Sequence, residues 1–213
     1  GKIHQMLDTY SDIAQVQGNS GLTKINNFVF QASEEIEKGY DIGQTENYLR
    51  IIGVRYIVVN QPDPSQERNQ WDYYYPDKFK DSKILSLKKE YGPYQIYQVN
   101  LESDSLVQIV NNTWYQDLSD KNFEASLSLY AELLDNDHSS VHYDWHTSGQ
   151  FHIETNLKEG EGLVVKENYY KTWQAEMDEQ KISLSKDRLG FIYIKPDKSG
   201  SVSIIVNLKR DSW

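Results

Sequence analysis

The densest group of side chains able to bind or transfer something is histidine-rich. His138, His142, His146 and His152 fall within fifteen residues, with Asp144 and Glu154 among them. On a strand, His142, Asp144 and His146 face one way, and a hairpin would bring His152 and Glu154 alongside. Imidazole and carboxylate ligands so arranged suit a divalent metal, and a metal-dependent hydrolase centred on His142, Asp144 and His146 would follow. Nothing in the spacing fixes the register, however, and H-E-x-x-H is absent. The expected reading is a polar, solvent-facing side of a sheet, with no metal site assigned. Asp135-Asn-Asp137 has the Asp-x-Asp form of a metal-holding triplet in nucleotide-sugar transferases, but helix ends select Asn and Asp for conformational reasons. With 32 acidic residues, no pair of carboxylates can be nominated for glycoside hydrolysis. The sequence holds no G-x-S-x-G elbow, no P-loop and no G-x-G-x-x-G after a strand. No catalytic residue and no cofactor are assigned.

Aromatic residues supply the other lead. Trp71, Tyr73, Tyr74 and Tyr75 lie in a polar, turn-rich stretch over 60–82. Flat aromatic faces on a loop stack on the C–H side of pyranose rings, so these four are the candidate substrate-binding residues. The competing arrangement tucks them back over the core as a plug. Tyr169, Tyr170 and Trp173 are expected in the core of a strand. Asn111-Asn-Thr113 fits the N-glycosylation pattern, which matters only in a glycosylating secretory pathway.

The elements that must carry these residues can be read from period and punctuation. Ile25, Phe28, Val29, Ala32 and Ile36 recur at helical spacing, with a stop at Gly39. Thr45 is the expected cap of a second helix that Gly53 closes. Val54–Val59 reads as a buried strand. Leu85, Leu87, Tyr94, Ile96 and Val99 suggest a hairpin around Gly92-Pro93, and Leu106–Val110 another strand. Ser119 or Asp120 would cap a helix with Phe123, Leu127, Tyr130 and Leu134 on one stripe. From Val141 onward the period is two, with turns at short, regular intervals, as in an antiparallel sandwich. The fold class expected is α+β: a mixed α/β part over 1–137, then an antiparallel β-sandwich over 138–213.

Composition narrows the classes. The 213 residues include 16 Tyr, 6 Phe and 5 Trp, a load that argues for a packed chain. No cysteine is present, which excludes disulfides, thiolate catalysis and iron–sulfur clusters. The net charge of −10 disfavours nonspecific nucleic-acid binding, so no nucleic-acid partner is expected. No apolar run reaches the ~20 residues of a membrane span. The chain opens at Gly1 without an initiator methionine and is read as a soluble segment of a longer polypeptide.

Two stretches carry a resemblance. Asn47-Tyr-Leu-Arg-Ile-Ile-Gly-Val-Arg-Tyr-Ile-Val-Val59 resembles the leucine-rich helix and Val-Lys-Tyr-Val-Val strand of multi-pass membrane proteins of the YfhO type. It is also similar to their relatives labelled 6-pyruvoyl-tetrahydropterin-synthase-related membrane proteins. Leu163-Val-Val-Lys-Glu-Asn-Tyr-Tyr-Lys-Thr-Trp-Gln-Ala175 resembles the same family's Leu-Val-Val-Ser-Glu-x-Tyr-Tyr-Pro-Gly-Trp-Lys-Ala strand–turn–strand. Lys181–Ser185 and Gly200–Val206 fall where its later strands do. Lys171-Thr172 departs from the family's Pro-Gly, and Met177-Asp-Glu-Gln180 lacks its turn glycine. The resemblance implies a GT-C glycosyltransferase-like parent using a lipid-linked sugar, with its catalytic acids in membrane-proximal loops elsewhere. The segment would be a non-catalytic domain on the extracytoplasmic face of the cell membrane. Its implied partners are the transmembrane part of the same polypeptide and a glycan or cell-envelope polymer. Its implied work is to position acceptor glycan or cover the membrane site. The alternative is a secreted carbohydrate-binding or adhesion module.

Overall fold

The computed structural model describes residues 27–61, 65, 73–103, 105–119, 123–135, 141–147 and 149–209. These form four α-helices, a 3-10 helix and twelve strands in three antiparallel sheets, an α+β fold. Among the described residues no helix is long and apolar enough to cross a membrane. The chain divides into two compact units, 1–101 and 102–213.

In the first unit, α1 (Asn27–Lys38) buries Phe28, Ala32 and Ile36 at spacings of four, and α2 (Ile42–Ile52) buries Tyr48, Leu49, Ile51 and Ile52. The rings of Phe28 and Tyr48 join them at 5.7 Å. The cap of α2 is Asp41 and not Thr45. The Asp41 carboxylate accepts from the amides of Gly43 (2.8 Å) and Gln44 (3.3 Å), while Thr45 is buried one turn in and donates its hydroxyl to the Asp41 carbonyl. A carboxylate at the positive helix end satisfies two orphan donors, which a threonine one turn later cannot do. Gly53 ends α2 with φ 75°, a left-handed position that suits glycine. Strands β1 (Tyr56–Asn60), β2 (Leu85–Tyr91) and β3 (Tyr94–Val99) make a sheet of order β1-β3-β2, with the 3-10 helix Pro76–Asp81 between β1 and β2.

The second unit holds α3 (Asn112–Ser119), α4 (Phe123–Asp135) and two sheets. One has the order β10-β11-β7-β4, from β4 (Val107–Asn111), β7 (Glu161–Asn168), β10 (Leu184–Lys186) and β11 (Phe191–Ile194). The other has the order β5-β6-β12-β8-β9, from β5 (His142–Thr147), β6 (Gln150–Leu157), β8 (Trp173–Met177), β9 (Gln180–Ile182) and β12 (Gly200–Leu208). One apolar cluster draws on both: Val107, Leu163, Val165, Ile192 and Ile194 from the first, Phe151, Ile153, Trp173, Met177 and Ile204 among those from the second. Each such side chain, fully buried, stabilises the fold by about 1.5–3 kcal/mol before chain entropy is subtracted.

Two differences from the sequence reading stand out. The contact boundary falls at 101/102, while the change of period lies near 138. Period reports which element type is local, whereas β4 joins the second unit by pairing with β7, Val107 opposite Val165. The stretch Ile182–Leu184 is where the chain changes sheets, β9 pairing with β8 and β10 with β11. Short strands on either side of Ser183 look like one strand in sequence.

Candidate functional site

An open recess of about 510 Å³ lies in the first unit, lined by Tyr40, Gln61, Tyr74, Tyr75, Pro76, Asp77 and Lys78. Its floor is a lysine. Lys78 is buried, and its ammonium donates to the carbonyls of Glu35 (3.1 Å) and Gly39 (2.6 Å) at the C-terminal end of α1. The Glu35 carbonyl also accepts from the Gly39 amide at 2.9 Å, and a cation at the negative end of a helix is favoured. Burial lowers the Lys78 pKa to about 8, against the pull of Glu35 and Asp41. The amide of Tyr74 donates to the Glu37 carbonyl at 3.0 Å. Pro76 opens the 3-10 helix, where its fixed φ is suited. The tyrosine loop is thereby fastened to the end of α1.

The four aromatic candidates separate. Tyr73 packs its ring edge-on to Phe79 at 5.5 Å, and burial with the Glu37 carboxylate nearby pushes its phenol well above the usual range. It is the plug. Tyr74 and Tyr75 are 41% and 51% exposed and stand at the recess, joined by Tyr40, 80% exposed and edge-on to Tyr75 at 6.5 Å. Trp71 lies outside the described residues. Tyr40 and Lys78 were not nominated from sequence, because one reads as a residue of a helix–helix link and the other as an ordinary surface charge.

The histidine group forms the expected hairpin, with His142 opposite Glu154 and Asp144 opposite His152. His142 lies 2.6 Å from Asp144, the His146 and His152 rings stack at 6.2 Å, and His152 meets the Ser203 hydroxyl at 2.7 Å. Among the described residues no three His, Asp or Glu side chains converge as metal ligands. His142, Asp144, His146 and Glu154 are exposed on the sheet. His138 lies outside the described residues. Asp135 ends α4 and accepts from the amides of Glu102 (2.9 Å) and Ser103 (3.2 Å), a staple within the second unit; Asn136 and Asp137 lie outside the description. Asn111 accepts from the amides of Thr113 and Trp114, so the glycosylation triplet serves as the cap of α3. Trp173 is buried, donating to the Asn168 carbonyl at 2.9 Å, while Tyr170 is exposed.

The second unit also buries a polar cluster. The Tyr115 hydroxyl donates to Asp187, and the Tyr193 hydroxyl to Asn112. The Tyr115 and Tyr193 rings stack at 5.5 Å. Gly162 admits this packing, since a Cβ there would come 2.3 Å from the Asn112 amide oxygen. Every partner belongs to α3, the segment after β10, or β11. Comparison with known proteins finds no family model, no curated protein and no solved structure that matches the chain.

Proposed function

We propose that the chain is a non-catalytic, saccharide-positioning domain, held on the extracytoplasmic face of a multi-pass, glycosyltransferase-like membrane protein. Support for the saccharide reading is the recess of Tyr40, Tyr74 and Tyr75. Three tyrosines border it, and Gln61 adds an amide that both donates and accepts. Its one exposed carboxylate, Asp77, is paired with Lys80 at 2.5 Å. Such a lining matches a polyhydroxylated ring better than an anion. The membrane reading rests on the resemblance. In support of it, 163–175 runs from β7 through a turn into β8, and 47–59 runs from α2 into β1, as that family's pattern requires. In this reading the two sheets of the second unit are the layers of a β-sandwich, which their shared apolar cluster supports.

Calorimetric titration with neutral oligosaccharides tests the recess. Y74A combined with Y75A is expected to weaken binding on the order of tenfold, the worth of losing stacked aromatic area. Unchanged affinity in that variant would remove the recess from the proposal. Hydropathy of the parent polypeptide in a ~19-residue window separates the membrane-bound reading, which requires flanking spans, from a secreted binding module, which forbids them.

A further inference from the structure

The sheet of the first unit has two unlike faces. Ile57, Val59, Tyr97 and Val99 alternate onto the inner one and are buried. The outer face is read across β1, β3 and β2 as three rows: Tyr56, Gln98, Ser86; then Val58, Ile96, Lys89; then Asn60, Tyr94, Tyr91. Tyr56 is 57% exposed, Val58 45%, Tyr94 43% and Tyr91 73%. In a chain of net charge −10, the nine residues of these rows include no carboxylate and one lysine.

A β-bulge produces that composition. The register of β2 shifts between Leu87 and Lys89. Strict alternation from Ser86 would turn Lys88 and Glu90 outward. The extra residue turns Lys89 and Tyr91 outward instead and leaves Glu90 on the opposite side, where the Gln95 amide donates to it at 2.7 Å. A bulge interrupts the ladder and re-aims side chains; here it exchanges a carboxylate for a tyrosine.

We propose that this outer face docks a neutral saccharide chain. The proposal rests on the saccharide reading above and adds a second contact surface to the same unit. Tyr91 and Tyr94 are cross-strand neighbours and offer adjacent rings to the C–H faces of pyranoses. The Gln98 amide and Ser86 hydroxyl offer donors and acceptors to sugar hydroxyls. Rows two residues apart place Tyr94 and Tyr56 at levels roughly 13 Å apart, long enough for a run of several rings. Other occupants fit less well. An anionic polymer needs several cations, and the face has one. An interfacial lipid surface calls for a broad aliphatic and basic face, and only Val58 and Ile96 are aliphatic.

Electrophoresis of the chain through native gels containing dextran, a β-glucan or a galactomannan tests this directly. At least one neutral polymer is expected to retard the protein, at low and high salt alike. Y91A with Y94A should weaken that retardation on the order of tenfold, and Y91F with Y94F should restore it, since stacking needs the ring and not the hydroxyl. Far-ultraviolet circular dichroism matching the parent shows that these exposed changes leave the fold intact. Loss in Y74A with Y75A alone, with Y91A/Y94A migrating as the parent does, overturns this surface and keeps the recess. Loss in Y91A/Y94A alone supports this surface and removes the recess. No retardation by any of the three polymers overturns both. A parent dimer in sedimentation that Y91A/Y94A converts to monomer assigns the face to self-association and overturns the proposal.

Discussion

Asp187 shows how one residue can tie stability to pH. Its two oxygens receive the Tyr115 hydroxyl and the Phe191 amide, the latter at 2.6 Å. Burial outweighs those bonds and raises its pKa from 3.8 to about 6. The folded state therefore holds the proton more tightly than the unfolded chain. That contribution is fully present below pH 3.8 and is lost as pH rises through about 6, a change on the order of 3 kcal/mol. Asp187→Asn keeps the shape and removes the titration. The melting temperature of the parent relative to Asp187→Asn is expected to climb as pH falls from 7 to 4, against a background common to both. A difference that stays constant over that range would show that the carboxyl does not titrate between the two states. Legibility at this scale was uneven. Tyr74 and Tyr75 could be picked out because aromatic residues on a polar stretch are conspicuous. Tyr40 and Lys78 could not, since their roles arise from a loop folding back on a helix end some forty residues earlier. Asp187 lacked any local signal, because desolvation is a property of the packed chain.

Elements were easier to read wherever punctuation and period agreed. Gly39 and Gly53 follow α1 and α2, and Gly92-Pro93 turns the β2–β3 hairpin; Ser119, expected as a cap of α4, instead ends α3, and Asp120 lies outside the described residues. Misreadings came where one element follows another without a break. Helix α3 begins on the residue after β4, with Asn111 as its cap, and its eight residues are too few to show a helical stripe. The β8–β9 turn lacks its expected glycine for a related reason: it is closed by Asp178 and Glu179, with φ 52° and 62°. Positive φ at both central residues suits a two-residue hairpin, but L side chains reach it at a cost that glycine escapes. Asp178 is also held by Lys198 at 2.8 Å, so Glu179 is the residue to change. Glu179→Gly is expected to stabilise the chain by roughly 0.5–1 kcal/mol, seen as a higher urea midpoint with an unchanged slope. A lower midpoint would mean that the glutamate side chain contributes more than its backbone strain costs.

For the whole molecule the question is where a cut leaves a foldable piece. The change of period suggests residue 138, yet a fragment from there would lack β4, Tyr115 and Tyr130. Without β4, the buried strand β7 becomes a sheet edge, with Leu163, Val164 and Val165 beside an unpaired backbone. Long apolar edges of that kind invite pairing with other chains. The rings of Tyr115 against Tyr193 and Tyr130, and the Asp135 staple to 102–103, would also be lost. A fragment of 102–213 keeps all of them. It is expected to unfold in one cooperative transition with a strand-rich circular dichroism spectrum, whereas 138–213 should aggregate or melt without cooperativity. If the shorter fragment unfolds as sharply as the longer one, β4 and both helices are appendages, and the boundary belongs where the hydrophobic period changes. Failure of 102–213 alone would mean that the second unit depends on residues before 102. The contrast is informative because period is a property of neighbouring residues, while a folding unit is defined by which strands complete each other's hydrogen bonds.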